Sequence, residues 1–121
     1  MNLARMLIVA MATTILFGCA AIPPQQDGEQ ELVAGIKNYE EGKDGDAARS
    51  IQASLYLGLN ESNQIRAHKY LAFIYCASGR EAQCRVEFRR VLAIDPSFEL
   101  RPAEAGHPIW GAVFRGVKDQ R

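Results

Sequence analysis

The side chains in this 121-residue chain best suited to covalent or metal chemistry are three cysteines and two histidines. Cys76 and Cys84 flank a Gly79-Arg80 break in an otherwise helical apolar periodicity. Antiparallel helices on either side of such a turn could bring the two Cα atoms within the roughly 4.4 to 6.8 Å that a disulfide spans. The same pair also suits a plainer role, with Cys84 as a small contact residue and Cys76 as a partly buried thiol. His68 and His107 fall in different segments, with no cysteine or carboxylate at ligand spacing, whereas a zinc site needs about four such ligands. No metal is therefore expected, and no cofactor. No glycine-rich phosphate loop follows a strand, and no serine or cysteine stands beside a base in the sequence. These features point away from an enzyme.

Cys19 belongs to a different chemistry. Residues 1–19, MNLARMLIVAMATTILFGC, carry one basic residue (Arg5), an apolar run over 6–17 and then a small residue. That is the pattern of a secretory signal. The run is short of the roughly 20 apolar residues of a membrane span. Leu16-Phe17-Gly18-Cys19 resembles the lipobox of bacterial lipoproteins, in which cleavage after a small residue leaves a cysteine at the new N-terminus to carry the lipid thioether. The resemblance implies a signal peptide over 1–18 and a lipidated Cys19 bearing palmitate-type acyl chains. Ala20, rather than Asp, after the cysteine implies sorting to the outer membrane, on its periplasmic face. The alternative is an ordinary signal peptide cut near Gly18-Cys19-Ala20, leaving a soluble periplasmic protein. Either compartment is oxidising, which permits a Cys76–Cys84 bridge.

The elements that must position these residues are helical. A mature chain of about 100 residues accommodates one domain with a modest core. Zero net charge, from 14 basic and 14 acidic residues, argues against a nucleic-acid partner. Residues 19–30 contain Pro23-Pro24, glutamines and a glycine without periodicity, and read as an extended, lipid-anchored linker. Over 31–41, Leu32, Gly35, Ile36 and Tyr39 form one helical stripe. The GKDGD segment over 42–46 breaks that helix and offers Asp44 or Asp46 as the next N-cap. Ala47, Ala48, Ile51 and Leu55 continue an apolar face. Residues 64–98 repeat the plan, with Leu71, Ala72 and Tyr75 before the Gly79 break and Cys84, Phe88, Val91 and Leu92 after it, ending at Asp95-Pro96. Pro102 and the Gly106-His107-Pro108 turn lead to a last helix whose apolar face holds Ile109, Trp110, Val113, Phe114 and Val117.

The offsets within residues 64–98 resemble the tetratricopeptide (TPR) repeat, a helical hairpin with a period of about 34 residues. Gly35 then answers Ala72, Ala47 answers Cys84, Ile51 answers Phe88 and Ser54 answers Val91, so the first hairpin is a degenerate copy. The spacing between copies exceeds the family period, which places a short insertion in the GLNESN segment over 58–63. The expected fold is all-α, a short TPR-like α-solenoid over 31–121 of two helical hairpins plus a C-terminal capping helix, the cap region starting near 99. Trp110 is the expected anchor of that cap. The family geometry implies a partner-binding groove lined by Leu32, Ile36, Tyr39, Arg66, Lys69 and Phe73. Arg85, Arg89, Arg90 and Arg101 read as a solubilising surface.

The lipobox, the hairpin pair and the C-terminal run over 98–115 are together similar to the small lipoproteins associated with type VI secretion systems, the TssQ-like family. That resemblance implies an accessory protein–protein interaction module at the cell envelope, whose partners are components of a secretion or assembly complex. A pilotin-like or assembly lipoprotein of a type IV pilus or of the outer-membrane protein assembly machinery is the alternative.

Overall fold

A repeat of 37 residues sets the architecture. In the computed structural model, which describes Gly18, Cys19 and residues 24–121, the helices are α1 (Pro24–Glu40), α2 (Asp44–Leu57), α3 (Glu61–Ala77), α4 (Glu81–Ile94), α5 (Pro102–Ala105) and α6 (Trp110–Asp119). Each boundary of the α1–α2 hairpin recurs 37 residues later in α3–α4 (24 to 61, 40 to 77, 44 to 81, 57 to 94). The expected signal segment, apart from Gly18, and residues 20–23 of the expected linker lie outside the described residues. Every regular element among the described residues is an α-helix. The result is the short solenoid-like stack expected, two helical hairpins with α2 against α3 and α6 laid over α4 and α3 as a C-terminal cap.

Both hairpin turns use the same device. Gly42 and Gly79 take φ of 76° and 77°, a left-handed conformation open to glycine without a Cβ penalty. The N–H of the following residue then reaches back five positions, Lys43 to Asn38 O and Arg80 to Tyr75 O, each at 2.8 Å. This closes α1 and α3 with Schellman-type bonds. The turn delivers the chain directly into the next helix, so the expected N-cap at Asp44 or Asp46 is displaced: Lys43 occupies the cap position without a side-chain capping hydrogen bond. Asp44 and Asp46 lie in the first turn, where their charge favours the helix dipole. The side-chain cap is instead at Asn60, whose Oδ1 accepts the Asn63 N–H at 2.8 Å and starts α3.

Two boundaries differ from expectation. Residues 24–30 are not extended linker but the first turns of α1. Proline suits a first helical turn, and Gly28 is buried because α1 crosses α2 there: a Cβ at this position would overlap the Gly58 carbonyl oxygen and stand 3.0 Å from Ser54 O. The amides of Asn60 and Asn63 also reach Glu29 Oε1, at 3.5 and 3.3 Å. Nor does an insertion loosen the junction between hairpins. The link is only Gly58 to Asn60, and the length beyond 34 residues is accommodated by a first helix of 17 residues in each hairpin, against 14 in the second.

The paired repeat positions form the core. Ala47, Ile51, Ser54, Ala72, Cys84, Phe88 and Val91 are fully buried, and Gly35 packs so closely that an added Cβ would lie 2.6 Å from Ile51 Cγ1. Ser54 meets its buried hydroxyl's need by donating to Ile51 O at 2.6 Å. In the cap, Phe114 is the deeper anchor. It is buried and meets Phe88 and Phe98 edge-on at 5.2 and 6.0 Å, while Trp110 is half-buried and Ile109, in the turn before α6, is exposed.

Candidate partner-binding face

The first helices of the two hairpins, α1 and α3, lie side by side, linked at one end by the Asn63–Glu29 bond and at the other by the Tyr39–Tyr70 ring contact at 5.2 Å. Of the six residues expected to line a groove here, Leu32, Ile36 and Phe73 belong to the core, at 1%, 8% and 3% exposure. They are removed from any groove because stacking uses their faces. Phe73 stands between Phe88 at 6.2 Å and Trp110 at 4.6 Å, so the cap itself covers it.

Lys69 is covered in the same way. Its ammonium lies 3.1 Å from both oxygens of Glu104 and 5.1 and 5.7 Å from the Tyr70 and Phe73 ring centres. Glu104 is buried and also accepts from Arg101 Nε, and its backbone carbonyl accepts the Trp110 indole N–H at 3.0 Å. A buried carboxylate is tolerable only when so paired. The cluster fastens the segment carrying α5 to α3.

Tyr39 and Arg66 remain accessible. Tyr39 is half-buried, and its phenol pKa is raised, first by burial and then by the negative charge of Asp44 and the neighbouring Tyr70 and Glu104. Arg66 is exposed and donates to Asn63 at 3.3 Å. The structure adds residues not expected from the sequence: Val33, 62% exposed, with Gln26, Glu29 and Gln30 lines a shallow hollow of about 400 Å³ on α1. Val33 lies off the apolar stripe of its own helix, and that isolation was the available signal. An apolar spot and tyrosine edges, bordered by amides and by charges of both signs, suit a polypeptide segment better than a small ion.

The other candidate chemistry is structural. Cys76 and Cys84 are joined by a disulfide, with Cα atoms 5.2 Å apart, across the α3–α4 turn. Cys19 is exposed and takes no part in a disulfide. His68 Nδ1 meets the Glu87 carboxylate at 2.6 Å, and Glu87 is also bound by Arg90 at 2.8 Å, which ties α3 to α4. His107 lies flat on Trp110, ring centres 3.3 Å apart, and its Nδ1 accepts the Ile109 N–H in the turn. Among the described residues no three His, Cys, Asp or Glu side chains gather to hold a metal. Arg85, Arg90 and Arg101 are each engaged by a carboxylate, Glu81, Glu87 and Glu104, while Arg89 lines a separate hollow with Arg121.

No protein-family model, curated protein or solved structure matches the chain.

Proposed function

We propose that this chain is a periplasmic protein–protein interaction module, tethered to the outer membrane through lipid on Cys19, and an accessory lipoprotein of a type VI secretion system. The observation that carries the binding role is the accessible face of α1 and α3: Val33 exposed off the apolar stripe of α1, the Tyr39–Tyr70 contact further along the same helix pair, and Arg66 and Glu29 as opposed charges. The lipobox-like Leu16-Phe17-Gly18-Cys19 supports the tether, and the Cys76–Cys84 bridge fits an oxidising compartment. Its work is to hold a partner, and it takes no small-molecule substrate.

The test is photo-crosslinking in the periplasm from probes at Val33 and Arg66, with a probe at Arg49, exposed on α2, as control. Crosslinks from positions 33 and 66 to a secretion-apparatus component, absent from position 49, are the expected result. Equal capture from all three positions would sink the assignment of the face. Specific recovery of a pilus secretin or an outer-membrane assembly component would move the protein to the pilotin-like or assembly class.

A further inference from the structure

The second helices of the two hairpins end differently. Ala93 in α4 is exposed but small, and lines a hollow with Val117 of the cap helix; its repeat equivalent 37 residues earlier is Tyr56, a large ring that is 92% exposed. Leu57 beside it is also exposed. An aromatic and a leucine thus replace an alanine and an isoleucine at the end of a helix where nothing among the described residues covers the tyrosine.

Their place in the fold is next to the tether. Gly28 meets the Gly58 carbonyl, so the N-terminal turns of α1 lie against the C-terminal end of α2. Because α1 begins at Pro24, only residues 20–23 separate it from Cys19. At roughly 3.3 to 3.6 Å per residue that segment spans at most about 18 Å. A longer linker would let the domain stand off the bilayer in any orientation, whereas this one keeps the Tyr56 end of the stack near the lipid. The far end of α2 is about 20 Å away, at 1.5 Å per residue.

We infer that the C-terminal end of α2 is a membrane-contacting surface, with Tyr56 and Leu57 seated in the headgroup layer of the bilayer that holds Cys19. The inference rests on the lipid anchor in the proposed function. A tyrosine has the amphipathic ring suited to that layer. Residues 50–62 contain no Lys or Arg, and neither do residues 24–36. The same segments carry Asp27, Glu29, Glu31 and Glu61, so the contact is made by the Tyr56-Leu57 pair itself, without the anionic-lipid dependence of a polybasic patch. It also sets orientation, fixing which way the stack faces on the membrane.

The experiment uses the full-length lipidated protein in phosphatidylethanolamine/phosphatidylcholine vesicles, with Trp110→Phe to remove the native indole and Tyr56→Trp or Arg49→Trp to supply a reporter. Flotation with the vesicles reads the anchor. Quenching by phospholipid brominated near the headgroup reads the contact. The expected result is flotation of both variants, with quenching of about twofold or more at position 56 and little at position 49, unchanged when phosphatidylglycerol is added. Flotation with equal quenching at the two positions overturns the contact while leaving the anchor standing, as does quenching that requires the anionic lipid. Failure to float overturns the anchor and this inference together.

Discussion

Gly28→Ala has opposite expected effects depending on whether residues 24–30 are helix packed on α2 or free linker. In an exposed helix the substitution would stabilise by up to about 1 kcal/mol, the difference in helix propensity between glycine and alanine. Here the new methyl overlaps the Gly58 carbonyl oxygen and approaches Ser54 O to 3.0 Å. Both are backbone atoms, which cannot turn away as a side-chain tip can. Overpacking costs about 1 to 3 kcal/mol, and overlap with a backbone atom puts this case in the upper part of that range, about 2 to 3 kcal/mol, so after the propensity gain a net loss of about 1 to 2 kcal/mol is expected. For a domain of this size that lowers Tm by about 4 to 16 °C, at about 4 to 8 °C per kcal/mol. Gly45→Ala is the internal control. Gly45 lies in the first turn of α2, is exposed, and a Cβ there would meet only Arg49 Nη1 at 3.9 Å. It should be neutral or stabilising by a few tenths of a kcal/mol up to about 1 kcal/mol. Thermal and urea unfolding of the two variants, followed by circular dichroism, would decide the matter. If Gly28→Ala matches Gly45→Ala in sign, the first turns of α1 do not pack as described.

Trp110→Ala removes the ring stacked on Phe73 and the bond to the Glu104 carbonyl. It should cost about 2 to 3 kcal/mol, below the range for a fully buried tryptophan because this one is half-buried, while Arg121→Ala stays within about 0.5 kcal/mol; equal Tm shifts would remove the capping role. Reducing the Cys76–Cys84 bridge, with a sequence separation of 8, should destabilise by about 2.5 kcal/mol on the chain-entropy scale. Reductant should therefore lower the Tm of the wild type and leave a Cys76→Ala/Cys84→Ala variant unmoved. Tyr39 has its pKa raised by burial above the ordinary value of 10.0. Its contribution is thus intact below pH 10 and lost as pH rises from there through the folded-state value, because the unfolded chain releases that proton first. Tyr39→Phe should flatten this alkaline loss in unfolding curves taken between pH 9 and 11, and an unchanged slope would refute the assignment.

The pairing of Gly35 with Ala72, Ala47 with Cys84, Ile51 with Phe88 and Ser54 with Val91 was legible because close helix crossings demand small residues at fixed offsets, and such residues stand out in a chain. A stripe of apolar residues, in contrast, shows that a helix buries a face without showing what covers it. Leu32, Ile36 and Phe73 therefore read as groove residues in the sequence, though hairpin stacking and the cap consume them. Val33, the exposed residue that matters there, is marked in the sequence only by its isolation from the apolar stripe of α1.

The remaining differences have a single cause. Residues 24–30 read as linker and residues 58–63 as an insertion because the first helix of each hairpin begins in a segment without apolar periodicity. Polar residues and a glycine at such a start look like a loop in sequence. Yet Gly28 is there for close approach rather than for a turn, and Asn60 is a cap rather than a break. A first helix of 17 residues in both hairpins accounts for both differences and for the 37-residue spacing. In the proposed lipid-anchored arrangement it also shortens the tether and so would bring Tyr56 toward the membrane. The sign of the Gly28→Ala effect therefore bears on the repeat length, the start of the fold and the orientation at the bilayer together. A stabilised variant would undercut the orientation argument even if Cys19 were lipidated.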